Sequence, residues 1–473
     1  MPIVKLPISE GMVKAVDEVG LVTHGASMVD VFIDELQNIV RRPGLVEVCD
    51  LGTSAKVDGL YWWSAQGLVL AVSNGKLFSI TTSAGAFSEL TGDAFIVGNR
   101  VSFDDYGKAT AYGANGGKIK LITVAGMTDL ADLDAPTTVS KLGILKKMLV
   151  ANEAGSGNFY NSEVNALTDW QGYYAEAEAN PDFLVSLLIA ESHIKCIGTK
   201  SMEVFYADGT SPFAPLNQSY VESGTIAPHS FAYAKSQKAL VWLDEERQAV
   251  LLSGVTPVPV SITMAKYLQS FSTVTDCLSD CISIAGRPYW LLQFPTEQKT
   301  LVFDFTSKNW YEWGYWNSGT ASYDAFRGNC YCYSPDWNYT LVGDRANGKI
   351  YRFSNSEYTD NGAILRSMIR TGNYNHGSEV YRKFSNRLIF RVKRTSVVSL
   401  DGTPDLQVRY RDNGNTTWTS YASVPLQAIG NTEYRGVLTR LGSYYTRQWE
   451  FSLSDAYPLC LSSVEEDVDV EAA

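Results

Sequence analysis

Asn74-Gly-Lys-Leu-Phe-Ser-Ile80, Gly116-Gly-Lys-Ile-Lys-Leu-Ile122 and Asn347-Gly-Lys-Ile-Tyr-Arg-Phe353 share one pattern, a glycine turn running into a short strand of alternating apolar residues. Asn-Gly and Gly-Gly supply the positive-φ residues that a tight hairpin requires. Looser copies stand between them: Ser156-Gly-Asn-Phe-Tyr160, Lys200-Ser-Met-Glu-Val-Phe-Tyr206, Gln248-Ala-Val-Leu-Leu252 and Lys299-Thr-Leu-Val-Phe-Asp-Phe305. Some follow a second apolar strand, such as Gly67-Leu-Val-Leu-Ala-Val72 or Ala239-Leu-Val-Trp-Leu243. A spacing of about 40–50 residues is that of four-stranded propeller blades. One blade cannot bury both faces of its sheet, so the repeats must stack into a ring. Seven copies are visible, and the degenerate middle ones make six equally defensible.

Outside the repeats the texture changes. The first 45 residues lack the blade period and read as an extended N-terminal arm (1–45), ending at Arg42-Pro-Gly-Leu45. The propeller then spans 46–362. From 363 to 463 the strands lengthen and alternate, as in Asn386-Arg-Leu-Ile-Phe-Arg-Val392 and Arg447-Gln-Trp-Glu-Phe-Ser452, which predicts a C-terminal β-sandwich with Arg on its outer face. Residues 464–473 read as an acidic tail. The expected class is all-β, a six- or seven-bladed propeller followed by a sandwich. One helix is expected, with Ile262, Ala265, Leu268 and Phe271 at helical spacing.

Composition narrows the function. In 473 residues, 39 Lys and Arg against 51 Asp and Glu leave a formal charge of −12, whereas a protein that grips nucleic acid through its phosphates is normally basic. No basic-then-apolar leader and no 18-residue apolar run is present, so neither a signal peptide nor a membrane-spanning segment is expected. Seven cysteines in so long a chain suit reduced thiols and cytoplasmic folding.

Chemistry-bearing motifs are scarce. The four histidines (His24, His193, His229, His376) form no ligand spacing, and there is no H-E-x-x-H, G-x-S-x-G, P-loop or Rossmann glycine pattern. Cys277-x-x-x-Cys281 with Cys330-x-Cys332 departs from paired C-x-x-C zinc knuckles and reads as buried thiols. Arg411-Asp-Asn-Gly-Asn-Thr-Thr-Trp418 resembles the Asp-box hairpin of sialidase-like propellers with one extra residue, in which the Asp accepts turn amides and the Trp packs beneath. Trp62-Trp63 and Trp310-Tyr-Glu-Trp313 read as blade core. No catalytic, metal or cofactor residue is assigned, and no enzymatic activity, cofactor or zinc is expected.

Three stretches together resemble the tail nozzle, or packaged-DNA stabilisation protein, of short-tailed bacteriophages. The first is Leu6-Pro7 leading to Asp30-Val-Phe-Ile-Asp-Glu35 and Arg41-Arg-Pro-Gly-Leu45, with Asp30 where that family typically has Asn. The second is Gly198-Thr-Lys-Ser-Met-Glu-Val-Phe-Tyr-Ala-Asp-Gly209, with Pro212-Phe-Ala-Pro215, Gly224-Thr-Ile-Ala-Pro228 and Ser253-Gly-Val-Thr-Pro257 after it. The third is Arg435-Gly-Val-Leu-Thr-Arg-Leu-Gly-Ser443 with Trp449-Glu-Phe-Ser-Leu-Ser-Asp455.

The resemblance implies a non-enzymatic virion protein assembled in the host cytoplasm. It implies a homohexameric ring beneath the portal and its adaptor, a tail needle or plug at the tip, and tail fibres or tailspikes nearby. Double-stranded DNA would be retained and then pass through the lumen without tight binding. An acidic chain suits that role, since its wall repels phosphate; the lumen is expected to be neutral to acidic with scattered Lys or Arg rings. The alternative is a propeller that binds or hydrolyses bacterial surface glycans with the sandwich as its carbohydrate module.

Overall fold

A computed structural model describes residues 3–8, 11–15, 24–107, 109–177, 182–207, 213–217, 219–254, 256–393, 404–426 and 433–471. All seven copies of the repeat are third strands of four-stranded antiparallel blades: Lys76–Ile80, Lys120–Thr123, Asn158–Glu163, Met202–Tyr206, Ala249–Leu252, Lys299–Asp304 and Lys349–Ser354. The turn chemistry is as read at the first copy, whereas in the other two glycine turns Gly116 has positive φ and Gly117, Asn347 and Gly348 do not. Asn74 and Gly75 have φ of 53° and 75°, which fits the two central positions of a hairpin turn between Leu68–Ser73 and Lys76–Ile80. The propeller therefore has seven blades.

Their first strands line the axis, from Val57–Trp63 in blade one to Gly328–Ser334 in blade seven, and the last packs against the first. Each gap between neighbouring blades holds its own apolar cluster. Trp63, Leu70 and Leu77 of blade one meet Ala111 and Ile122 of blade two, and Ile197 and Met202 of blade four meet Leu240 and Trp242 of blade five. Both faces of a blade are buried this way, which is why its strands run apolar rather than strictly alternating. The ring is closed by chain ends: Gly44–Asp50 is the fourth strand of blade seven, antiparallel to Lys349–Ser354.

The expected helix is present as a 3₁₀ turn, Ile262–Met264, running into Ala265–Gln269. Met264, Leu268 and Phe271 are buried against Trp290 between blades five and six, while Ile262 is exposed. The buried stripe follows the i, i+4, i+7 spacing of an α-helix from Met264, which leaves Ile262 off it and Ala265 half-buried at its edge.

The sandwich is made by both ends of the chain. Its first sheet continues blade six: Trp310–Asn317 lies beside His24–Val29, followed by Ser367–Arg370, Arg447–Leu453, Asp405–Asp412 and Ala422–Pro425. The second runs Val31–Ile33, Ile39–Arg41, Cys460–Val470, Lys383–Lys393 and Glu433–Thr439, with Ile3–Lys5 also on Cys460–Val470. Between them pack Met28, Val31, Leu388, Phe390, Val408, Trp449, Phe451 and Val464.

Two expectations meet a different structure here. Residues 24–41, read as part of an extended arm, are strands in both sheets. Residues 464–470, read as an acidic tail, lie in the middle of the second sheet. Val464 and Val468 keep a two-residue period beneath the carboxylates, and Glu466 between them is fully buried, bonded to Ser385 Oγ at 2.5 Å and Tyr444 Oη at 2.9 Å. Burial with hydrogen-bond partners removes most of the cost of placing a charge there.

Candidate interaction face at the propeller–sandwich joint

The turn Arg41-Arg-Pro-Gly-Leu45 forms the joint. Arg41 Nη1 donates to Asp455 O and Tyr457 O, each at 2.7 Å, and Nη2 to Leu453 O at 2.6 Å, which ties the arm to the sandwich. Arg42 points the other way. It bonds Asp30 Oδ1 at 2.6 Å and Asp360 Oδ2 at 2.6 Å and lies over the Phe326 ring. Asp30 has φ 56°, a left-handed conformation in which Asp and Asn are favoured, so either residue suits this corner. Burial pushes the Asp30 carboxyl up to about 7, opposed by Arg42 and reinforced by Asp360.

Because blade six and the sandwich share one sheet, they also share a solvent-side face opposite the core. On Arg447–Leu453, Trp449 and Phe451 point into the core and Glu450 points out. The register sets Glu450 between Arg370 and Arg409 on the neighbouring strands. It accepts from Arg370 Nη2 at 2.5 Å, Arg409 Nε at 2.7 Å and Tyr421 Oη at 2.8 Å. Farther along, Lys299 pairs with Glu312 at 2.6 Å. These side chains, with Arg366, Met368 and Trp316, line an open cleft of about 470 Å³. Its chemistry is that of a polar docking surface with surplus positive charge.

The Asp-box expectation is corrected here. Asp412 takes the buried Arg447 guanidinium, from Nε at 2.6 Å and Nη2 at 2.8 Å, rather than turn amides. Trp418 lies among Arg370, Arg409 and Arg411, each guanidinium 4.9 Å from its ring centroid. The stretched hairpin carries Trp418 past the position beneath the turn and onto the basic face.

The remaining candidates scatter. His193 is bonded to Glu191 O at 2.7 Å, and His376 bridges Tyr444 and Glu466. Of His24 only the strand position is described. His229 sits at the propeller axis, where burial and then Lys141, Arg100 and Lys56 push its imidazole down to about 2. Arg100 and Asp280 pair across that axis, joining the inner ends of blades two and six. Cys277 packs with Trp290 while Cys330 packs with Val57 and Ile350, in two different inter-blade clusters. No group of metal-ligating side chains occurs among the described residues. Trp63, Trp310 and Trp313 are core, and Trp62 is half-buried against Trp337. The stretch 208–212 of the second family-like motif lies outside the described residues. Sequence reading missed Arg366, Arg370 and Glu450 as a group, since only strand register brings them together.

A sequence profile described as "Bacteriophage P22 Gp10, beta-propeller", of the phage stabilisation family, matches residues 37–358. The chain belongs to that family. The matched span begins just before the strand that closes blade seven and ends just after the blade's own last strand, so it corresponds to one whole propeller. A family of this kind makes the chain a bacteriophage structural protein, a virion component with a packaged-DNA stabilisation role. Among the described residues, no helix is long and apolar enough to cross a membrane. A comparison with curated proteins returns no match. Solved structures of related shape include YCF48 bound to D1 peptide, at 9% identity over 67% of this chain and 96% of the other, TM-score 0.43. Another is the N-terminal domain of Nup159, at 7% identity over 66% and 96%, TM-score 0.39.

Proposed function

We propose that this phage stabilisation protein is the tail nozzle of a short-tailed phage, a non-enzymatic ring component below the portal and its adaptor. Six copies surround the DNA exit path, hold the packaged genome and conduct it at ejection, with a needle or plug and fibres or tailspikes as further neighbours. The observation that carries this reading is the family match across the whole propeller. Two features support it. The Arg41–Arg42 joint and the shared sheet tie propeller and sandwich together, as a load-bearing tube wall requires. A net charge of −12 per copy suits a conduit that DNA passes without sticking.

On the glycan reading, sugars would stack on exposed aromatic faces. In the cleft one face of each ring is covered by a cation: Arg366 lies 4.5 Å over Trp316 and Arg409 4.5 Å over Tyr421. That favours a protein-facing surface.

The test is native mass measurement of the purified chain with a portal–adaptor complex, together with imaging of particles. The expected result is six copies per tail and a lumen without a continuous Lys/Arg lining. One copy per particle, tight salt-sensitive DNA binding by the chain alone, or cleavage of host polysaccharide would overturn the reading.

A further inference from the structure

Arg366 in the cleft is 9% exposed and donates only to hydroxyls among the described residues: Ser454 Oγ at 3.1 Å, Tyr421 Oη at 2.9 Å and Ser452 Oγ at 2.9 Å. Buried charges are ordinarily paired. The cleft lining carries four cations (Lys299, Arg366, Arg370, Arg409) against two carboxylates, Glu312 and Glu450. This local excess stands in a chain of net charge −12. It marks a surface waiting for a carboxylate.

The same chain presents a complementary knob. In Asp129-Leu-Ala-Asp-Leu-Asp134, between blades two and three, Leu133 is 97% exposed, the most exposed large apolar residue described. Its turn is held rigid: Asp132 Oδ1 accepts the Asp134 amide at 2.9 Å and Oδ2 the Trp170 amide at 3.0 Å. A pre-ordered turn loses little entropy on docking. The blade two–three junction is separated from blade six by three blades in either direction, so knob and cleft cannot meet within one chain.

We propose that the cleft receives the 129–134 turn of a second copy, with Asp134 pairing to Arg366 and Leu133 entering beside Met368. Such a contact joins different surfaces of two identical chains, the head-to-tail kind that generates rings. It deepens the ring reading above and rests on it.

The test places Leu133→Cys on the knob together with Ser322→Cys at the exposed cleft rim. Particles carrying both are oxidised mildly and run on a non-reducing gel. A ladder of disulfide-linked multimers is expected, absent from either single variant. Six copies per particle with no ladder overturn the cleft contact alone, whereas one copy per particle overturns the ring itself. If the double variant does not enter particles, self-association of the purified full chain decides. Asp134→Lys and high salt are each expected to weaken it about tenfold or more, because the pair is electrostatic. Association unchanged by Asp134→Lys, or a wild-type chain monomeric at every concentration, overturns the proposal.

Discussion

Arg42 and Asp360 meet through two parallel hydrogen bonds, Nη1 to Oδ1 at 2.9 Å and Nη2 to Oδ2 at 2.6 Å, with neither side chain exposed. The pair links the chain entering the propeller to the chain leaving it, 318 positions later. Asp30, at the sandwich edge, holds the same guanidinium through Nε. One arginine thus fastens ring closure and the joint together.

Arg42→Met is expected to destabilise the protein by about 3–5 kcal/mol, because it leaves two buried carboxylates without their cation. Urea unfolding followed by tryptophan fluorescence measures this. A loss under about 1 kcal/mol would show that the pair is dispensable, as exposed ion pairs are.

Asp30 gives a pH dependence with a definite sign. Its folded pKa of about 7 lies above the ordinary carboxyl value, so the folded chain holds this proton more tightly than the unfolded chain. The stability this provides is present at low pH and declines as pH rises from about 4 to about 7. Asp30→Asn has no proton to lose, and Asn tolerates the left-handed backbone. Relative to wild type it should gain on the order of 2 kcal/mol between pH 4.5 and pH 8. Paired denaturation curves at the two pH values check this, and a difference that shrinks with pH would contradict it.

Glu450→Gln removes the carboxylate shared by Arg370 and Arg409 while keeping its shape. Two consequences are expected: a stability loss of about 2–4 kcal/mol from uncompensated charge, and stronger, salt-sensitive retention on heparin. Unchanged retention would mean that the basic face is not electrostatically available.

Gly436 lies opposite Phe390 in the second sheet, where an added Cβ would fall 2.0 Å from the ring. Gly436→Ala should cost about 1–3 kcal/mol by overpacking. Thermal unfolding measures it, and an unshifted Tm would mean that Phe390 can turn aside without loss.

The propeller was legible because its signal is local. A turn such as Asn74-Gly75 writes its backbone requirement into adjacent residues, and the short apolar run after each of seven polar turns marked the third strand of a blade. Family-like stretches around Arg41-Arg-Pro-Gly-Leu45 were equally readable, since they are contiguous. The two chain ends were not. Cys460–Val470 carries four carboxylates, and it becomes central sheet only because Ser385, Tyr444 and Arg387 arrive from distant strands to bond Glu466 and Asp467. Likewise Arg366, Arg370, Arg409 and Glu450 are unremarkable in the sequence, and strand register alone gathers them into a cleft. Sequence by itself determined the elements whose stabilising partners lie within a few residues. Tertiary structure decided every feature that rests on burying charge, because the cost of a buried charge depends on which groups surround it, and those come from hundreds of positions away.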